Sequence, residues 1–215
     1  ETKVAPDGAL SVSYNGTMTV QAPDLTDYNM MNASEKLDTE WRAGLYNPND
    51  ANSMNLYNKY LRNVLGGVNT YWLSKPLRTA IQHRHSASVA GGTDVFRYSL
   101  DLNAAFQPGV MKGSENATKG VDFNMTYLKE KFTMRANISL SESDGKNSPY
   151  GSFQQYTRLN PYYIPEDANG KAIKVLDNNT VSGQSKMITN PLYDATVGIK
   201  DRTNSLNMTT NLSLE

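Results

Sequence analysis

Apolar and polar residues alternate with period two along six stretches of the chain. Between residues 9 and 21, Leu10, Val12, Tyr14, Met18 and Val20 alternate with Ser11, Ser13, Asn15, Thr17 and Thr19. Ile81, His83, His85, Ala87 and Val89 form one side of the next stretch. In "VFRYSLDLNAAFQ", Phe96, Tyr98, Leu100, Leu102, Ala104 and Phe106 face away from Arg97, Ser99, Asp101 and Asn103. "GVDFNMTYL", "FTMRANISL" and "NSLNMTTNLSL" repeat the pattern with Val121, Phe123, Met125 and Tyr127, then Met134, Ala136, Ile138 and Leu140, then Leu206, Met208, Leu212 and Leu214. Period two predicts strands with one apolar and one wet face. The expected strands are 9–21, 81–90, 95–107, 119–128, 132–141 and 203–215. All are longer than the usual strand of about 5–6 residues.

The connections alternate in length as well. Those at 91–94 and 129–131 are tight, 108–118 is longer, and 22–80 and 142–202 are very long. Up-and-down strands with short turns at one rim and long loops at the other describe a transmembrane barrel wall. The fold class expected is therefore all-β, with short helices in the long loops and an antiparallel up-and-down sheet forming part of such a barrel. Two helices are expected in the first long loop. "NASEKLDTEWRAG" offers Asn32 as N-cap, Glu35 three residues on, Leu37 and Trp41 four apart, and Gly44 as a stop. "SMNLYNKYLRNVLGG" sets Met54, Tyr57, Leu61 and Leu65 on one face. In the second long loop, "YGSFQQYTRLNPYY" offers the one helical turn.

Composition narrows the chemistry. The 21 basic and 21 acidic residues among 215 cancel, so no charge bias points to nucleic acid. Absence of cysteine removes disulfides, thiol catalysis and thiolate metal sites. No apolar run reaches the roughly 18 residues of a spanning helix, which leaves a barrel open. No serine sits in a Gly-x-Ser-x-Gly setting, and "AGGTD" is a turn rather than a phosphate cradle. His83 and His85 share one strand face, but no carboxylate pattern converges on them, so neither a metal site nor a catalytic residue is expected. No cofactor is implied. The aromatic density of the second long loop, at Tyr150, Phe153, Tyr156, Tyr162 and Tyr163, leaves two readings open: contacts for a ligand face, or packing of the loop.

Four passages together resemble the SusC/RagA-type TonB-dependent outer-membrane transporters of Bacteroidetes. "VSYNGTMTVQAP" looks like the first barrel strand after the plug, and "MNASEKLDTEWRAG" like the helix that follows. "YWLSKPLRTAIQHRHSASVAGGTDVFRYSLDLNAAFQPGVMKGS" is similar to the most recognisable barrel stretch, and "NPYYIPEDANGK" with "NPLYDA" to the third loop. The resemblance implies that residues 1–215 are the N-terminal part of the barrel of a nutrient importer. Neither plug nor TonB box is recognisable in this chain, and six strands are far short of the roughly 22 of such transporters. The implied cargo is an oligosaccharide or glycan fragment, with a peptide as the alternative. The implied partners are a SusD-like surface lipoprotein and, through parts outside this chain, TonB–ExbB–ExbD. Leu100, Leu102, Phe123, Met134 and Ile138 are then expected to meet lipid, and Asp101, Asn103, Asn124, Arg135 and Asn137 the lumen. The five aromatics of the third loop become the expected substrate contacts. Two rivals stay open: a soluble secreted β-sandwich that binds glycans, which explains the alternation but not the sorted loops, and a secreted β-rich glycan hydrolase, which needs paired carboxylates about 5 to 10 Å apart.

Overall fold

The computed structural model of the chain describes residues 8–181 and 184–215. These form two compact units. One comprises the residues up to Ala22 together with Thr79–Asn147 and Asp201–Glu215; the other comprises Pro23–Arg78 and Ser148–Lys200.

The first unit is a six-stranded antiparallel sheet. Its strands are β1 (Ser11–Gln21), β2 (Ala80–Gly92), β3 (Phe96–Pro108), β4 (Glu115–Lys129), β5 (Phe132–Lys146) and β8 (Arg202–Leu214). Each pairs with the next in chain order, from β1 at one edge to β8 at the other. Such an up-and-down sheet, open at both edges and apolar on one face, is a slice of a barrel wall. The strands run past the expected ends at one side. β4 begins at Glu115, and β5 continues to Lys146. Apolar alternation stops before these points, but the main-chain ladder does not: Glu115 still pairs with Lys146. The sequence pattern marks where the apolar surface ends, not where hydrogen bonding ends.

Register aligns the faces across the whole sheet. Ser13, Ser88, Asp101, Asp122, Ser139 and Thr209 form one continuous row, and Val12, Val89, Leu100, Phe123, Ile138 and Thr210 form the next. Both turns at the tight end need special backbone. Glu130 has φ 53° in the two-residue turn between β4 and β5. Gly92 has φ 136°, and a Cβ there would sit 2.1 Å from the Phe96 carbonyl oxygen.

The second unit has a conventional core. It contains helices α1 (Ala33–Arg42), α2 (Ala51–Leu65), α3 (Phe153–Thr157) and α4 (Pro191–Asp194), with a hairpin of β6 (Val175–Val181) and β7 (Gln184–Thr189). The α1 cap forms as the sequence predicts: the Asn32 side chain accepts from Glu35 N at 2.9 Å, and Asn32 N donates to the Glu35 carboxylate at 2.9 Å. Asp50 caps α2. The α2 face differs from the expected one, because Tyr60 is its fully buried residue while Leu65 is 78% exposed. A helix that must dock an aromatic cluster turns Tyr60 inward. The β6–β7 hairpin and α4 are additions to what periodicity showed. The eight named strands form one six-stranded sheet and one two-stranded hairpin, so the described residues contain no pair of comparable sheets such as a sandwich needs.

Candidate functional site

Asp101, Asn103, Asn124, Arg135 and Asn137 all lie on the polar face of the sheet. A chain of side-chain hydrogen bonds crosses three strands there: Asn137 Nδ2 donates to Asn124 Oδ1 at 2.6 Å, and Asn124 Nδ2 to Ser99 Oγ at 3.1 Å. Ser139 Oγ donates to Asp122 Oδ1 at 2.6 Å, and Arg135 pairs with Glu215 at 3.3 Å. Asn103 lies across Gly120, where a Cβ would come within 2.6 Å of its Nδ2. Glycine at that register position lets the amide lie flat on the wall. Two hollows indent this side of the sheet. One of about 420 Å³ is bordered by Ser13, Asn15, Ser88, Asp101 and Asn103 among others; another of about 250 Å³ is bordered by Thr17, Thr19, Gln82, His83, Arg84 and Gln107.

The opposite face is apolar and uncovered. Val12, Met18, Leu102, Ile138 and Met208 are 66%, 71%, 43%, 39% and 69% exposed. In water such a surface would be unfavourable by roughly 25 cal/mol for each Å² of apolar area. Its two ends differ. At the tight-turn end lie aromatic rings, with Phe96 against Tyr98 at 6.0 Å and Tyr127 against Phe132 at 6.4 Å. At the long-loop end the side chains become charged: Lys146 pairs with Glu115 at 3.4 Å, and Arg202 with Asp144. The apolar band is thus bounded by an aromatic row at one end and a row of ion pairs at the other. The two histidines sit on this face. His85 Nδ1 is 2.6 Å from Tyr14 Oη, His83 Nδ1 is 3.1 Å from His85 Nε2, and the His83 ring packs on Phe106 at 4.9 Å. They satisfy one another, and among the described residues no group of three or more His, Asp or Glu side chains converges as a metal site would.

The five aromatics of the third loop separate into two groups. Tyr156, Tyr162 and Tyr163 are buried, at 0%, 1% and 5% exposure, so their rings are spent on packing and present no face to a ligand. Tyr150 and Phe153 are half-buried against the same cluster. Tyr162 stacks on Tyr60 at 4.3 Å and meets Tyr163 edge-on at 5.2 Å. Below them lies a polar network that periodicity gave no sign of. The buried Glu40 carboxylate accepts from Tyr46 Oη and Tyr162 Oη, each at 2.9 Å, and pairs with Lys36 at 3.3 Å. Asp177, equally buried, accepts from Tyr60 Oη and pairs with Lys59. Burial pushes the Tyr162 and Tyr46 phenols well above their ordinary range, and the Glu40 carboxylate adds to the shift of each. Burial likewise raises Tyr156 and Tyr163.

The two long loops are thereby tied into one body. Trp72 Nε1 donates to the Asn160 carbonyl at 2.8 Å, Asn63 Nδ2 to the Tyr162 carbonyl at 3.1 Å, and Thr70 N to the Pro161 carbonyl at 2.7 Å. Asn190, fully buried, closes the loop's other end: its Nδ2 donates to the Pro165 and Ile173 carbonyls, each at 2.8 Å, and its Oδ1 caps α4. A small hollow of about 100 Å³ between the loops is bordered by Met30, Met31, Tyr71, Trp72, Tyr156 and Leu159 among others.

No sequence profile of a known family matches the chain, and no curated protein matches it. Solved structures do. A structure described as that of the RagAB peptide transporter aligns with a TM-score of 0.71 at 16% identity, over 98% of this chain and 26% of its own. The RagAB peptide importer in its "open-open" state aligns with a TM-score of 0.68 at 17% identity, and in its "closed-closed" state with 0.69 at 18%. Each of these alignments again covers 26% of the longer chain, so this chain spans about a quarter of the structures it matches. At such identities the likeness is one of fold.

Proposed function

We propose that the sheet is part of the barrel wall of an outer-membrane, TonB-dependent nutrient importer of the SusC/RagA type. Its polar face lines the lumen and its apolar face meets lipid. The single observation that supports this reading best is the band of exposed Val, Leu, Met and Ile bounded by aromatic rings at one end and ion pairs at the other. No bond of the cargo is made or broken. Transport is a gated conformational step, energised by TonB–ExbB–ExbD and completed by a SusD-like surface lipoprotein, both acting through parts of the assembly outside this chain. The cargo in this reading is an oligosaccharide that stacks on the half-buried rings of Tyr150 and Phe153, with the buried Tyr156, Tyr162 and Tyr163 behind them. A peptide is the second reading, favoured by the description of the structural neighbours as peptide importers.

In the full-length protein, single cysteines at Asn52 and Ser114 label on intact cells with a membrane-impermeant thiol reagent, whereas one at Thr93 does not. The reverse result inverts the topology. Recovery of the full-length protein in the soluble fraction without detergent ends the membrane reading. Deletion of the gene abolishes uptake of the cognate cargo class, tested with defined oligosaccharides and with defined peptides as sole nutrient.

A further inference from the structure

One side chain on the polar face lacks the company its neighbours have. Arg97 pairs with Asp94 at 3.4 Å and Arg135 with Glu215 at 3.3 Å. Arg84, exposed in the middle of β2, makes no ion pair and no side-chain hydrogen bond among the described residues. Register shows what surrounds it. Thr17 lies opposite on β1 and Ala105 opposite on β3, with Gln82 and Ser86 two residues away on its own strand. The diagonal positions on this face are Asn15, Thr19, Asn103 and Gln107. None is acidic. A guanidinium therefore projects among neutral groups that donate and accept hydrogen bonds. The hollow of about 250 Å³ lies beside it, bordered by Thr17, Thr19, Gln82, His83, Arg84 and Gln107. Ala105, opposite Arg84 on β3, carries no polar group that could pair with the cation.

We infer that this hollow is a binding site for a carboxylate carried by the cargo, with Arg84 as the anchoring residue. A guanidinium presents donors in a planar fork that matches a carboxylate bidentately. Hydroxyls and amides around it orient the rest of the group without competing for the charge. The inference rests on the proposed lumenal position of this face and narrows the cargo to molecules bearing a free carboxylate. The C-terminus of a peptide and the uronate of an acidic oligosaccharide both supply that chemistry.

The full-length transporter, purified in detergent with its surface lipoprotein, is titrated calorimetrically with two matched pairs of probes. One pair is a peptide with a free C-terminus and the same peptide amidated; the other is an oligogalacturonate and its methyl ester. In at least one pair the free acid binds about tenfold or more tightly than the capped form, and the gap narrows with added salt. Arg84→Gln removes that gap while leaving the capped form unaffected, and Arg84→Lys restores part of it. A gap in the peptide pair assigns the site to a C-terminus, and one in the oligosaccharide pair assigns it to a uronate. Equal affinity of acid and capped forms in both pairs overturns the inference while leaving the importer reading intact. So does an Arg84→Gln protein that loses thermal stability without ligand yet keeps the gap, because Arg84 then pairs with the protein's own lumenal parts. Loss of all binding by the wild-type assembly, with normal nutrient uptake in the deletion strain, counts against the importer reading itself.

Discussion

The two units of this chain bury themselves in different ways. The loop unit holds every residue of the buried cluster around Tyr60, Trp72, Leu73, Tyr156 and Tyr162. The sheet has no such cluster. Every residue of β1 and β8 is exposed, and Ala80 and Ala105 are the buried apolar residues among the described parts of the sheet. The loop unit is organised as a water-soluble domain is, with aromatic packing and buried carboxylates satisfied by phenols. The sheet relies on its ladder and on whatever meets its two faces. In the proposed barrel, apolar side chains that would be a liability in water meet lipid, and a polar face that could form no core meets an aqueous lumen. On that reading one chain carries two solutions to the hydrophobic effect, one for each solvent.

Substitutions should separate the two solutions, and the largest effect belongs to the packed unit. Trp72→Ala removes a ring that is 3% exposed and its hydrogen bond to Asn160. It should destabilise the loops by about 3–5 kcal/mol. Hydrogen exchange of the full-length protein should show protection lost across α1, α2 and α3 while the strands keep theirs; equal loss in the strands would merge the two units. The sheet should respond to the opposite kind of change. Leu102→Arg places a charge on the apolar band and should cost about 2–4 kcal/mol near the bilayer midplane. Asn103→Arg, one residue along on the polar face, should cost far less. Folding titrations into lipid vesicles measure both, and equal costs would show that the faces meet the same solvent.

Smaller changes sharpen the contrast. Asn32→Ala deletes the side-chain arm of the α1 capping box, the bond from Glu35 N, and leaves the backbone arm; it should cost about 1 kcal/mol, read as faster exchange at the start of α1 alone. The smallest effect at neutral pH concerns the buried phenols. Tyr46, Tyr156 and Tyr162 have folded pKa values raised above the ordinary 10.0. The unfolded chain therefore releases these protons first, and stability is unchanged below about pH 10 and falls as pH rises beyond it. Alkaline titration followed by phenolate absorbance and loop exchange should show the loop unit opening while the strands hold.

The two units also differ in how far the sequence reveals them. The six strands of the sheet are visible as period-two alternation, because one face of the sheet is apolar and the other polar, and every second residue falls on the same face. Asp101, Asn103, Asn124, Arg135 and Asn137 could be assigned to one face for the same reason. The ends of β4 and β5 were not visible, since Glu115, Glu142, Asp144 and Lys146 continue the ladder with charges and erase the hydropathy signal without breaking a hydrogen bond. In the loops, the α1 cap was legible because a capping box is local: Asn32 and Glu35 need only each other.

Tyr60, Glu40 and Asp177 carried no comparable signal. Their roles depend on Tyr162, on Tyr46 and on Lys59, and the separation between Tyr162 and Glu40 is 122 residues. The third-loop aromatics show the limit best. Composition marked Tyr150 to Tyr163 as dense in rings, and both stacking on a ligand and packing in a core are uses for a ring. The structure buries Tyr156, Tyr162 and Tyr163, the last two against Tyr60 of α2. Alternation along a strand is written in neighbouring residues, so the sequence alone determined the strands, their faces and the order of the long and short connections. Which rings fill a core, which carboxylates they satisfy, and that Arg84 faces a hollow with no acid beside it are relations between distant segments, and only the folded chain brings those segments together.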